Sequence, residues 1–497
     1  MFEVLANDFV PDALYHSEKR QSEHAVTCLP ETRTYVLGAI RAWANSSTTD
    51  ASQVCWLSGP AGTGKTTVAH TIAAEYDRRR RLAASFFLWR KTGDRDSIDK
   101  LVATLAYQIA KKSPLAKEGM EENLKLEDDE EPLAVLIDRF SKTSLEDRLS
   151  KLLISESYVN PDPAAPYLVV IDGLDECSSR EGICRVVEWI RGNKLPFRFL
   201  LTSRPEPEIK TCFTDAPCTD VLAFSLTESE ADIRKYFVKH LEKVWPTQRR
   251  IEEHGPSQWP LQSDLERLVE KSEGLFVYAA TAVRYIGDSE GYPSKRLEEV
   301  LVLHKGLDPL YAQVIEEARR QDCFDIVMGS LMYLDYPLLV DDLSSILFTF
   351  NKFLTSAGIL SALRRCHSVL SIGNTINPYH ASLRDFLTDQ SRATTLFFAP
   401  ATCHGRLMLA CFSAIDNAFH EGTHAPRYAH ESWYYHASSF LTTCSGDIEG
   451  LGEMKDEFQE LVKKVDLNWV KSWLTKAIYW QPVMFLRVEL PSTKVQL

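Results

Sequence analysis

The stretch Val54–Thr67, VCWLSGPAGTGKTT, constrains this chain more than any other. Val54–Leu57 is a short apolar run that ends in Ser58-Gly59-Pro60. From Gly59 the residues fit G-x-x-x-x-G-K-[ST], closing with Gly64, Lys65 and Thr66. Apolar residues at Val68, Ala69, Ile72 and Ala73 then fall at helical spacing. A strand, a glycine-rich loop and a helix in this order form an anion cradle: glycines let backbone N–H groups turn inward, and the helix N-terminus adds its dipole. The expected nucleotide contacts are therefore Gly59, Pro60, Ala61, Gly62, Thr63, Gly64, Lys65, Thr66 and Thr67. In such a loop the lysine reaches the β- and γ-phosphates and the threonine ligates Mg²⁺. A glycine turn with a chance lysine would lack both the strand and the helix.

Two further motifs follow in order. In Leu168–Glu176, LVVIDGLDE, an apolar strand delivers Asp172 to its carboxyl end, where it can hold Mg²⁺, and Asp175 and Glu176 come directly after. Hydrolysis needs a carboxylate to orient or deprotonate the attacking water, and one of this pair is placed to serve. In Phe199–Pro205, FLLTSRP, a buried strand ends at Arg204, whose guanidinium could report the γ-phosphate.

Periodicity places the rest. Leu82–Trp89, Tyr167–Leu174, Phe197–Thr202 and Val221–Leu226 read as strands alternating with helices, among them one opened by Pro30 and one over Asp96–Lys112. That alternation predicts a parallel sheet covered by helices on both faces, with ligands at the carboxyl ends of the strands. Glu118–Glu131 reads as an acidic solvated segment, Pro132–Leu153 as helical and Asn160–Pro166 as a loop. From Thr227 the pattern turns helical. Strand-like pieces at Val369–Ile372 and Thr375–Tyr379 suit a small winged-helix unit, and Ala399–Trp480 is helical and aromatic, with Trp469, Trp473, Tyr479 and Trp480 near its end. The expected divisions are an arm and helix over 1–50, a nucleotide-binding α/β domain over 51–226, a helical domain over 227–305, a winged-helix-like domain over 306–395 and a helical region over 396–497.

GPAGTGKTT, LVVIDGLDEC and LLTSRP, followed by helical segments, resemble the NACHT-type P-loop NTPases of the STAND class of signalling switches, which includes the NOD-like receptors. CLPETR at Cys28–Arg33 and YHASLRDFLTD at Tyr379–Asp389 bring the likeness closer to the fungal group whose nucleotide-binding domain resembles the N-terminal part of nephrocystin-3. The resemblance implies an ATP/ADP-binding protein with slow Mg²⁺-dependent hydrolysis that switches conformation and self-associates with nucleotide state. It implies Asp172 as the Mg²⁺ aspartate, Asp175 and Glu176 as catalytic acids, and Arg204 as the sensor. It also implies His380 as the winged-helix histidine that contacts the ADP β-phosphate and locks the closed form. Such proteins carry effector domains ahead of the NTPase and repeat arrays after it, neither of which is visible here.

Composition sets the remaining expectations. Length, at 497 residues, exceeds one core. The formal charge of −13 argues against nucleic acid as a partner, leaving nucleotide, self-association and protein partners. Eleven scattered cysteines with no C-x-x-C, and a start with acidic residues and no basic stretch, point to reduced thiols and a cytoplasmic location. The apolar stretch Gly274–Ile286 is interrupted by Arg284 and is too short to span a membrane. Two other enzymes compete with the switch. A small-molecule kinase would use the same loop but needs an acceptor pocket and an arginine-bearing lid, whereas the acidic pair and the long helical appendage favour the switch. A zinc protease would use His420-Glu421-Gly422-Thr423-His424 with His430, but Gly422 and Pro426 weaken the helix that its ligands need, and the stretch reads as a loop. A scaffold that binds nucleotide without hydrolysis is disfavoured by the intact acids.

Overall fold

The computed structural model describes residues 5–6, 8–17, 27–46, 52–90, 93–124, 143–153, 166–213, 219–224, 226–251, 259–288, 291–348, 351–421 and 425–443. The first half of Pro132–Leu153, the second half of the acidic segment, most of Asn160–Pro166 and the aromatics from Trp469 to Trp480 lie outside these residues.

Five parallel strands form the first sheet: β1 (Val54–Ser58), β2 (Leu82–Phe87), β3 (Tyr167–Asp172), β4 (Phe197–Ser203) and β5 (Thr219–Ala223), in the order β2-β3-β4-β1-β5. Their residues divide by period two between two cores. Val54, Trp56, Val169, Ile171, Phe199 and Leu201 face one way. Cys55, Leu57, Leu168, Val170 and Leu200 face the other. Both sets are buried, which is why the strands read as continuous apolar runs.

Helices α1 (Thr34–Ala44) and α2 (Lys65–Arg78) cover the second face through Val36, Ile40, Val68 and Ile72. The first face is covered by α3 (Ile98–Lys112), α4 (Pro114–Leu124), α5 (Leu145–Leu153), α6 (Arg180–Gly192) and α7 (Pro207–Phe213). The start of α1 falls later than Pro30 suggests: Glu31 and Arg33 take left-handed φ of 66° and 56°, so the helix opens only at Thr34. Strand β5 ends earlier than expected because Leu226 already belongs to the next helix.

The remainder is helical. It comprises α8 (Leu226–Ile251), α9 (Gln262–Ser272), α10 (Phe276–Ile286), α11 (Pro293–Val302), α12 (Leu307–Ala318), α13 (Phe324–Tyr333), α14 (Val340–Leu347), α15 (Ser356–Ala362), α16 (Ala381–Leu387), α17 (Gln390–Ala393), α18 (Pro400–Glu421) and α19 (Arg427–Thr443). The short strands β6 (Leu370–Ile372) and β7 (Ile376–Pro378) pair antiparallel just ahead of α16. One continuous core joins Ile233 on α8 to Ala429 on α19. Among the described residues no helix is long and apolar enough to cross a membrane.

Candidate functional site

Strand β1 ends at the carboxyl edge of the sheet, and the chain turns through Gly59–Gly64 into α2. Gly62 and Gly64 have φ of 79° and 94°, a backbone that side chains resist and that turns N–H groups toward the inside of the loop. Gly62 has a second reason to be glycine: a Cβ there would lie 2.2 Å from Val277 Cγ1. Thr63 Oγ1 donates to the Pro60 carbonyl at 2.9 Å and stiffens the turn. The half-buried Lys65 ammonium donates to the Gly59 and Pro60 carbonyls, each at 2.7 Å. Burial lowers its pKa to about 8, against the pull of Asp175 and Asp172.

The acidic side is built from β3 and β4. The Thr202 hydroxyl donates to Asp172 Oδ1 at 2.6 Å and accepts the Gly173 N–H at 3.0 Å, fixing the turn that follows β3. A single 3₁₀ turn, Leu174–Glu176, then brings the next two acids back to the sheet edge. Asp175 spends both oxygens on Arg204, taking its backbone N–H at 2.9 Å and its Nε at 3.1 Å. Glu176 Oε2 accepts the Arg90 N–H at 3.0 Å. Burial, then the neighbouring Asp175, raises the Glu176 pKa. Arg204 reaches the other way as well: its Nη1 lies 2.7 Å from Asp385 on α16.

The helical region supplies the opposite wall. A cavity of about 300 Å³ is lined by Gly62, Gly64, Lys65, Thr66, Asp172, Asp175, Glu176 and Arg204 from the sheet side. From the helical side come Tyr236, His240, Phe276, Val277, Arg284, Tyr379 and His380. Its volume lies at the small end of the range for ligand pockets. The phosphate-loop residues and acids read from sequence thus share one cavity with His380. Gly59, Pro60 and Thr63 belong to the loop without lining the cavity, whereas Ala61 and Thr67 line it. His380 caps α16: its Nδ1 accepts the Ser382 N–H at 3.1 Å, so the neutral ring carries its proton on Nε2.

Sequence reasoning missed the helical wall, although Phe276 and Val277 sit in a stretch noted only for its apolar length. The Val277 N–H donates to the Gly62 carbonyl at 3.1 Å, tying α10 to the phosphate loop. It also missed the role of Arg33, noticed only as part of CLPETR. Arg33 is buried, with its guanidinium between the rings of Phe224 and Phe276 at 4.3 and 4.6 Å from their centres. It donates to the Thr63 carbonyl and to Ser229 Oγ, and its N–H donates to Asp232.

The zinc alternative falls largely outside the described residues, which omit 422–424; His420 and Glu421 end α18, and His430 lies on α19. Among the described residues no group of three His, Cys, Asp or Glu is placed to hold a metal.

A phosphate loop at the end of a parallel strand paired on both sides, with Arg204 after the adjoining β4 and the acids after β3 one strand further, defines a P-loop NTPase-like protein. Residues 36–204, roughly a third of the chain, match the family described as nephrocystin 3, N-terminal. No curated protein matches the sequence. Two solved structures are similar. One is of the Drosophila ORC bound to DNA, at 12% identity and TM-score 0.30, covering 74% of this chain and 86% of that one. The other is of the Aeropyrum pernix ORC1 protein in complex with DNA, at 16% identity and TM-score 0.28, covering 80% and 98%. The exclusion of nucleic acid drawn from net charge is withdrawn. The physical reason is that −13 is a sum over the whole chain and says nothing of where positive charge gathers locally.

Proposed function

We propose that this chain is a NACHT-type switch that holds ATP or ADP with Mg²⁺ in the cavity, hydrolyses ATP slowly and changes conformation with nucleotide state. The observation behind this reading is Arg204, whose guanidinium pairs with Asp175 on the sheet side and with Asp385 on α16. A γ-phosphate at the loop competes with Asp385 for that guanidinium, because a planar fork binds phosphate as well as carboxylate. Loss of the Asp385 pair loosens α16 from the sheet. ADP leaves the pair in place and takes a hydrogen bond from His380 Nε2.

The Thr66 hydroxyl and the Asp172 carboxylate line the same cavity and are the hard oxygen donors that Mg²⁺ accepts alongside phosphate and water. When bound, the ion neutralises phosphate charge. Glu176 is the group we assign to the attacking water, since it lines the cavity and burial raises its pKa, the direction that favours a proton acceptor. Asp175, engaged through both oxygens, positions Arg204. The β6–β7 pair and the helices around it then form the winged-helix part of the switch.

Hydrogen exchange across residues 381–387 tests this. Exchange should be faster with Mg²⁺-ATP than with Mg²⁺-ADP, and Asp385→Asn should make the ADP form exchange like the ATP form. Identical exchange with ATP, with ADP and without nucleotide would sink the switch. Lys65→Ala should abolish binding of both nucleotides, and wild-type affinity in that variant would sink the phosphate-loop assignment itself.

A further inference from the structure

Helix α10 meets the phosphate loop at Val277 and carries Arg284 two turns further along the same face, roughly 10 Å away. Both residues line the cavity. The Arg284 guanidinium sits over the Tyr379 ring, with Cζ 3.8 Å from its centre. Burial lowers its pKa, and the neighbours that act on its charge are the phenols of Tyr236, Tyr379 and Tyr311. The other two guanidinium groups in the cavity are matched differently. Arg204 has Asp175 and Asp385, and Arg33 has a carbonyl, a hydroxyl and the nearby charge of Asp232. Among the described residues Arg284 has no carboxylate and no carbonyl within bonding distance. A ring face repays little of what a desolvated guanidinium gives up, and the phosphate chain of a nucleotide is the anion this cavity is shaped to take.

We infer that Arg284 is a phosphate-binding residue contributed by the helical region, resting on Tyr379 and exchanging that ring for the phosphate chain of a nucleoside di- or triphosphate. The inference rests on the nucleotide-binding reading above and deepens it. Tyr379 immediately precedes His380 and follows β7, so the exchange of partners acts directly on the segment that leads into α16. The anion is then held from both sides, by Lys65 on the loop and by Arg284 on the helical wall.

Calorimetry with Mg²⁺-ATP on the full chain tests it through Arg284→Ala, Arg284→Lys, Tyr379→Leu and the double variant Arg284→Ala/Tyr379→Leu, with Lys65→Ala as reference. A charge-assisted phosphate contact corresponds to an affinity loss of about 10- to 100-fold in Arg284→Ala, with partial recovery in Arg284→Lys. Tyr379→Leu should tighten ATP binding when Arg284 is present and leave it unchanged in the Arg284→Ala background, a coupling that a purely structural arginine does not produce. The salt dependence of binding should also fall in Arg284→Ala. Wild-type affinity in Arg284→Ala beside lost binding in Lys65→Ala would overturn the role of Arg284 and spare the nucleotide site. Equal effects of Tyr379→Leu in both backgrounds would overturn it too. Undiminished binding in Lys65→Ala would instead bring down the reading on which it rests.

Discussion

Lys65 shows how one half-buried side chain sets the working range of the site. Its pKa is lowered to about 8 because burial disfavours the ammonium form. The free protein therefore loses this positive charge as pH rises through 8, whereas a bound phosphate holds the proton on. The sign follows: affinity for nucleotide is full below pH 8 and falls above it, by about tenfold per pH unit until the proton leaves the bound form too. Calorimetry with ADP between pH 7 and 9.5 checks this, and a flat profile would contradict the placement of Lys65 against phosphate. The residues legible in the sequence share one property. Gly64, Lys65 and Thr66 follow each other, and Asp172, Asp175 and Glu176 lie within five positions, so local spacing carries the chemistry. Asp385 was not legible, since its partner Arg204 is 181 positions away and only packing joins them.

At the level of elements, apolar periodicity was sufficient wherever both faces are buried. The edge strand β5 shows the limit. Val221 is 53% exposed, its neighbours are only partly covered, and the expected Val221–Leu226 runs past the observed Thr219–Ala223 into α8. Helix caps are similarly local. Ser179 accepts the Gly182 N–H at 3.0 Å and opens α6, the helix that carries Ile183, Val186 and Ile190 into the core beneath the acidic turn. Ser179→Ala should cost about 1 kcal/mol, seen as a lower urea midpoint at unchanged slope. Nucleotide affinity should stay as in the wild type, because the cap touches the far end of that turn rather than the cavity.

Across the whole molecule, the sheet has a core on each face and the helical region has a third, and Arg33 fastens the sheet part to the helical part. It joins Thr63 of the phosphate loop, 30 positions on, to Ser229 of α8, 196 positions on, and lies between Phe224 and Phe276. No local pattern announces such a residue, although a left-handed arginine followed at once by a helix is the trace it leaves. Arg33→Ala should cost about 2–4 kcal/mol, since two ring contacts and two side-chain hydrogen bonds go together. Denaturant unfolding read by tryptophan fluorescence measures that loss. If the helical wall depends on this fastening, the same variant should bind nucleotide more weakly, even though its side chain is placed against the carbonyl side of the loop.

The bond from Val277 to Gly62 has a kinetic meaning. That bond ties α10, one wall of the cavity, to the loop that forms the other, so opening it widens the space between them. The dwell time of a bound nucleotide is then expected to depend on the lifetime of this seam as well as on the phosphate contacts. A substitution that loosens the seam far from the phosphates, as at Phe276, shortens the dwell time without altering the chemistry.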